Sequence, residues 1–274
     1  MDDSVRRTEL AKFLRAKRAA ITPDVYGLPK STRRRTPGLR REEVALRANI
    51  GVAWYTWLEQ GRDIHVSRDV VNRIAVALNL STSDRSYLAS LAAQQTSIPD
   101  KVGEEPITEA LDLLNGFNAG PAMLWNARFD CIAYNHIADV IYEWSDSPEP
   151  FGLNVIWRFF MDTKRQELYS GAEHLMHDCV GMLRARYASQ IGEPDFEALV
   201  KVLLSQSESF AVLWARQRTA PIEPVPFVLT HPTYGKLALR SVRALFPPIS
   251  GSTLVFGIPT DNSTKAVLKR LSAG

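Results

Sequence analysis

Asn154 and Arg158 are the pair of side chains in this sequence best suited to holding a small anion. On a helix beginning near Asn154 their spacing of four puts both on one face. The guanidinium offers a planar fork of donors matched to a carboxylate, and the amide adds a neutral donor. Trp125, Phe129, Tyr134, Trp157 and Phe160 supply aromatic surface that could enclose an apolar tail. Strand and helix periodicity cannot turn all five inward, and most buried aromatics are ordinary core. In the competing arrangement Arg158 pairs with Asp162, also four residues away, and Asn154 only caps its helix.

A second chemistry belongs to polyanions. Lys30 to Arg41 is a basic, turn-rich arm containing Arg33, Arg34, Arg35, Arg40 and Arg41. It leads into two short helical patterns joined by a tight turn, where Val44, Ala48, Tyr55 and Leu58 mark the inward faces. Asn49 stands at the reversal, since Asn tolerates the left-handed backbone. Gly51 suits the N-cap of the second helix, and Gly61 suits its C-terminal side. Such a helix–turn–helix lays its second helix, roughly Val52 to Glu59, in the major groove of double-stranded DNA. Arg41, Val52, Ala53, Thr56 and Trp57 then face DNA, with Arg33, Arg34, Arg35, Arg40 and Arg62 near phosphates or the minor groove. Val52 and Ala53 can touch a thymine methyl but make no bidentate hydrogen bond, so much of the affinity is expected to be electrostatic. Glu59 can turn back toward the first helix of the chain, where Arg18 is its expected partner.

Other chemistries find little support. His174 and His177 lie three apart with Cys179 close by, but helical geometry turns Cys179 away from His174, so no metal site is expected. The 15 glycines are scattered and cradle no phosphate. No Ser or Cys lies in a local nucleophile signature, and neither catalysis nor a resident cofactor is expected. Cys131 and Cys179 form no disulfide framework, which fits a reducing, cytoplasmic setting. No apolar run approaches a membrane span, and the N-terminus shows no apolar signal core.

The charge is unevenly placed. The 274 residues carry a net charge of +3, yet residues 1–96 hold 17 Lys/Arg against 10 Asp/Glu, and the remainder is acidic. Only the N-terminal part suits a polyanion. It reads as five helices: Thr8–Ala20, the two of the helix–turn–helix, Asp69–Leu80 and Thr82–Ala93. Residues 96–106, with two prolines and a glycine, read as a linker, so the expected domains are 1–96 and 107–274. The second domain opens with a helix at Ile107–Asn115. Strands are expected at Ala122–Asn126 and Phe129–Tyr134, then a helix at Asn135–Tyr142 capped by Asn135. Helices at Asn154–Met161, Glu167–Gln190, Asp195–Ser205 and Ser209–Arg216 precede strands at Pro226–Thr230, Leu237–Leu245 and Thr253–Ile258. Asn262–Leu271 is the last helix. Strands at both ends with helices between imply an α+β domain with an antiparallel sheet.

Strings spread over nearly the whole chain resemble one family. Arg33-Arg34-Arg35-Thr36-Pro37-Gly38-Leu39-Arg40-Arg41-Glu42-Glu43-Val44-Ala45 and Leu58-Glu59-Gln60-Gly61-Arg62 are similar to the XRE-type helix–turn–helix of MmyB-like transcription regulators. Trp125-Asn126, Tyr134-Asn135, Asn154 with Arg158 and Phe160, Leu183-Arg184, Ser209-Phe210, Leu213-Trp214 and His231-Pro232 with Gly235 resemble that family's ligand-binding domain. The resemblance implies a five-helix XRE/lambda-repressor-like domain followed by a PAS-like sensor, a homodimer, and a long-chain fatty acid or similar small molecule as effector. The expected function is a ligand-responsive, sequence-specific DNA-binding regulator. The alternative is a constitutive DNA-binding protein whose C-terminal domain serves dimerisation or partner binding.

Overall fold

The computed structural model describes residues 3–26, 38–93, 104–147, 150–169, 173–220 and 224–272. The chain divides into two compact units. The first holds residues 1–97 together with Arg184–Glu197 and Val212–Pro221. Its described helices are α1 (Asp3–Ala20), α2 (Arg41–Arg47), α3 (Val52–Glu59), α4 (Arg68–Ala77) and α5 (Thr82–Ala92). Leu10, Phe13 and Leu14 of α1 are buried as the sequence periodicity requires, and Phe13 meets Tyr87 of α5 edge to face at 5.1 Å. α1 begins five residues earlier than expected. The side chain of Arg6 in that extra turn is buried and donates to the Ala93 carbonyl at 2.7 Å. Ser67 and Ser81 cap α4 and α5, accepting from Val70 N at 3.3 Å and Asp84 N at 3.2 Å.

The helix–turn–helix has the expected bounds. Asn49 takes φ 52°, and Ile50 N returns to the Ala45 carbonyl at 3.0 Å, which reverses the chain between α2 and α3. The approach to α2 lies against α1 so closely that a Cβ on Gly38 would stand 2.5 Å from Ala19 Cα. Leu39 N then donates to Arg18 O at 3.1 Å, and Arg18 Nη1 donates to Leu39 O at 2.8 Å.

Glu59 ties these elements together. Its side chain is fully buried. Arg18 donates from Nε to Oε1 at 2.5 Å and from Nη2 to Oε2 at 3.0 Å, and Arg41 donates from Nε to Oε2 at 2.7 Å. Arg15 donates to the Glu59 carbonyl. The expected Arg18–Glu59 pair is therefore present, with Arg41 as an additional partner.

The second unit comprises residues 98–183, 198–211 and 222–274. It opens with α6 (Glu104–Gly116), which starts inside the expected linker with Pro106 in its first turn, where the missing N–H costs nothing. Strands β1 (Ala122–Trp125), β2 (Cys131–Tyr134), β3 (Val225–His231), β4 (Gly235–Leu245) and β5 (Thr253–Pro259) form one antiparallel sheet in the order β2-β1-β5-β4-β3. α7 (His136–Tyr142), α8 (Val155–Met161) and α9 (Thr163–Gln166) follow β2. After them come α10 (Glu173–Gln190), α11 (Pro194–Gln206), α12 (Glu208–Ala215) and, after β5, α13 (Asn262–Leu271). The division between units falls within α10, α11 and α12. One long helix was expected over Glu167–Gln190. Instead Glu167–Tyr169 is a 3-10 turn, and α9, capped by Asp162, precedes it.

The sheet has two different faces. Ala122, Leu124, Ala133 and Leu254 pack with Ala110 and Leu114 of α6 and with Phe246 and Ile249 into a closed apolar core. Cross-strand register sets the other face: Ser241 lies opposite Gly257, Arg243 opposite Val255, and Val255 opposite Met123. Asn135 joins the edges of this arrangement. Its Oδ1 accepts from Ala122 N at 3.0 Å and Ala138 N at 2.9 Å, and its Nδ2 donates to Phe117 O and Gly120 O at 3.0 Å each.

Burial alone would raise the Glu59 carboxyl, but its bonds from Arg18 and Arg41 outweigh that and hold the pKa below the usual range. A depressed folded pKa contributes stability that is complete above the ordinary value of about 4.3 and is lost as pH falls through the folded value. Glu59→Gln is expected to destabilise the protein by about 3–5 kcal/mol at pH 7, since it leaves buried guanidinium charge uncompensated. Urea unfolding at several pH values should show the gap between wild type and variant closing below about pH 4.

Candidate functional site

Two surfaces carry the residues singled out in the sequence. The first is the outer side of α3. Val52 and Trp57 are 42% and 39% exposed, Ala53 is exposed and Thr56 is half-buried with its hydroxyl donating to Val52 O at 2.8 Å. The inner side of the same helix buries Tyr55, Leu58 and Glu59, so the face is held by core packing and by the carboxylate cluster. Arg40 and Arg62 are exposed, and the Arg62 guanidinium lies 5.6 Å from the Trp57 ring centroid. Arg41 was expected to face DNA, but its Nε is drawn inward to Glu59 while the side chain stays 43% exposed. Arg33, Arg34 and Arg35 lie outside the described residues. Arg73 Nη1 donates to Asn49 O at 3.2 Å, supporting the turn from below.

The second is a narrow cavity of about 40 Å³ on the sheet face that α6 leaves free. Its floor is Met123 and Trp125 of β1, Phe227 of β3, Ser241 and Arg243 of β4, and Val255 and Gly257 of β5. Its roof is Tyr142, Trp144, Val155, Phe159, Tyr169, Leu175 and Cys179, from α7 to α10 and the segments between them. Tyr142 and Tyr169 stack at 6.5 Å, and Phe159 meets Tyr169 at 4.4 Å. Burial pushes the Cys179 thiol up to about 12 and both tyrosine phenols well above their usual range, so these three groups stay neutral at physiological pH. Arg243 is the cation of the lining.

Of the five aromatic wall residues expected, Trp125 lines the cavity. The others do not. Phe129 packs behind Trp125 at 5.9 Å, Tyr134 lies 6.4 Å from Trp144, Phe160 meets Phe210 at 5.3 Å, and Trp157 is half-buried elsewhere. Trp144, Ser241 and Arg243 were missed. The alternation of β4 could have found the last two, because Leu239, Ser241 and Arg243 share a face.

Asn154 and Arg158 do not reach the cavity, and the anchor expected of them is corrected by what they hold. Asn154 caps α8, accepting from Trp157 N at 2.9 Å, and its amide donates to Arg128 O and to Asp130 Oδ1, both at 2.8 Å. Arg158 is 2% exposed and donates to the carbonyls of Gly152, Tyr142 and Glu143 and to the Ser147 hydroxyl. A guanidinium so engaged has no fork left for a ligand carboxylate. Nor does it pair with Asp162, whose Oδ2 accepts from Arg165 Nη1 at 3.0 Å. Arg165 joins Arg158 on the same segment, donating from Nη2 to Glu143 O at 3.1 Å and to Asp146 O at 2.7 Å. Both cations thus cover the carbonyl end of α7, where the macrodipole favours positive charge. Burial and the neighbouring Arg165 lower the Arg158 pKa to about 10, which leaves it charged at neutral pH. Its guanidinium lies 4.0 Å from the Trp144 ring centroid. Arg158 is therefore a positioning residue for the segment that carries Trp144 into the roof.

His174 contacts the Pro226 carbonyl at 3.0 Å while Cys179 sits in the cavity roof, and no cluster of metal-binding side chains occurs among the described residues.

Comparison with known families adds to this geometry. Residues 108–271 match the MmyB-like transcription regulator ligand binding domain, over more than half of the chain. The chain belongs to the MmyB-like transcription regulators. Residues 9–88 match a helix–turn–helix domain. No curated protein matches the chain. With both domains in one polypeptide, this MmyB-like protein is a DNA-binding transcription regulator with a small-molecule-binding domain. Among the described residues no single helix is long and apolar enough to cross a membrane.

Arg158→Ala is expected to lower stability by about 3 kcal/mol or more, because it strips donors from several buried carbonyls at once. Urea unfolding reads the loss. Arg158→Lys, which keeps charge without the fork, should recover only part of it.

Proposed function

We propose that this MmyB-like regulator binds an apolar, fatty-acid-like molecule in the cavity over the sheet and, as a homodimer, responds by altering its hold on operator DNA. The observation that supports the reading is the placing of a mostly apolar cavity within the region matched as ligand-binding. An interior of about 40 Å³ does not hold such a molecule as it stands, since ligand pockets run to ~300 Å³ or more. Admission therefore requires the roof to part. The roof is built from separate helices, the short α7 and α8 and the start of α10, with the segments between them, whereas the floor is a sheet hydrogen-bonded from strand to strand, so movement falls to the roof. DNA is bound by α3 in the major groove, with apolar contact from Val52 and Ala53, and by phosphate contact from the basic arm and Arg62. In a homodimer the ligand acts by changing the spacing of the two α3 helices, which sets the half-site separation that the dimer can read.

Mass spectrometry of the purified, denatured protein tests the ligand class: a co-purified long-chain fatty acid supports the reading. If none is present and added fatty acids leave both the protein's fluorescence and its DNA affinity unchanged, the constitutive alternative takes its place.

The interface makes its own prediction. Against an operator recovered by in vitro selection, Arg34→Ala and Arg40→Ala should each reduce the salt slope of log K by about 0.9. Unchanged slopes in both variants would remove the basic arm from the interface.

A further inference from the structure

Three polar atoms at the cavity find no hydrogen-bond partner among the described residues: Trp125 Nε1, Trp144 Nε1 and Ser241 Oγ. Their residues are 6%, 3% and 5% exposed, and all three line the cavity. Leaving a buried donor unpaired is unfavourable, so three at one cavity need a reason.

Strand register divides them into two groups. Trp125 lies opposite Thr253, which lies opposite Leu245, whereas Ser241 lies opposite Gly257. Ser241 is thus four residues along β4 from the Trp125 row, about 13 Å at the rise of a strand, and two strands across, about 10 Å. Alternation puts all these positions on one face of the sheet. An indole and a hydroxymethyl cannot close a diagonal of that length onto one small group. Trp144 belongs with Trp125, because its ring centroid is 6.4 Å from that of Tyr134, which lies opposite Met123 of β1. Between the two rows β5 contributes Val255, and the roof contributes Phe159 and Leu175, so the middle of the cavity is apolar. The two ends also differ in chemistry. The indole N–H groups can only donate, while the serine hydroxyl donates and accepts.

We propose that the cavity takes a fatty-acid-like molecule oxygenated at two places: carboxyl oxygens received by Trp125 and Trp144, and a hydroxyl further along the chain received by Ser241. The assignment rests on the ligand reading above and deepens it, from a plain fatty acid to an oxygenated one. A carboxyl group has acceptor sites enough for both indoles, and a ligand hydroxyl offers Ser241 a donor and an acceptor at once. An acid that lacks the hydroxyl leaves the serine unpaired, and that penalty is what lets the cavity discriminate. Arg158 contributes from behind, by holding the segment on which Trp144 stands.

The test uses the full chain with sodium decanoate and its ω-hydroxy derivative as probes, followed by isothermal titration and by NMR of protein labelled at the indole nitrogens. Wild type should bind the hydroxylated acid about tenfold more tightly than decanoate. Ser241→Ala should erase that preference without weakening decanoate. Trp125→Phe and Trp144→Phe should each weaken both probes alike, by about tenfold, because the carboxyl end is common to them. Of the six tryptophans, the N–H signals of Trp125 and Trp144 should move most on adding either probe. Ser241→Ala removes a single oxygen and keeps the test decisive if a tryptophan variant misfolds. Equal affinity of wild type for the two probes, a preference that survives in Ser241→Ala, or indole signals unmoved by both probes would overturn the two-point site and leave the ligand reading intact. Failure of wild type to bind either probe would overturn both.

Discussion

A buried carboxylate governs the DNA-binding half. Glu59 closes α3, the helix whose outer side carries Val52, Ala53 and Trp57, and its inner end is held by arginines from α1 and α2. Three helices and the approach to the motif therefore share one electrostatic node: Arg18 also holds Leu39, and Arg15 also holds the Glu59 carbonyl. Hydrophobic packing can be satisfied by helices that slide by part of a turn. Bidentate guanidinium–carboxylate geometry is far less tolerant, so the node fixes the angle at which α3 is presented.

The second unit solves a different problem with the same economy of means. A five-stranded antiparallel sheet has two faces, and period-two alternation assigns them without further instruction. One face is filled completely by α6 and its apolar partners. The other is roofed by α7, α8, α10 and the segments between them, and the cavity lies beneath that roof. What holds the roof in shape is polar: Arg158 and Arg165 grip the carbonyls past α7, and Asn154 fastens α8 to the turn before β2. The apolar site is thus built on a frame of buried hydrogen bonds, each of which demands a specific side chain.

Much of this is legible in the residues, and the failures have a common cause. Local rules succeed where the partner is near in sequence. Asn49 at the reversal, Asn135 as a cap, and the bounds of α3 and α13 all follow from propensity and capping. The antiparallel sheet and the two-part fold follow from pattern. Spacing fails for Arg158, because an arginine four residues from an asparagine has the same signature whether it faces a ligand or a chain reversal. Two of the carbonyls it holds, those of Tyr142 and Glu143, lie 16 and 15 residues earlier, which no periodicity reveals. The cavity residues missed on β4 show the converse: the alternation was present, but only the register with β5 and β1 tells which face is the empty one.

Arg184 lies on α10, whose earlier turns supply Leu175 and Cys179 to the cavity, yet it is fully buried within the first unit. There it pairs with Glu9 at 3.5 Å and donates to Tyr87 at 3.4 Å, to Gln217 at 2.9 Å and to the Trp214 carbonyl. Thr219 adds a bond to Asp84 at 2.7 Å. Helices α1 and α5, which precede and follow the DNA-reading motif in the chain, are therefore completed by residues encoded more than ninety positions downstream. Such a domain is not a freely exchangeable cassette. Recombination that moved residues 1–96 onto a foreign sensor would bring Glu9 and Tyr87 without Arg184, and lineages that shuffle these modules must carry α10 and the Trp214–Thr219 stretch with the reader they support.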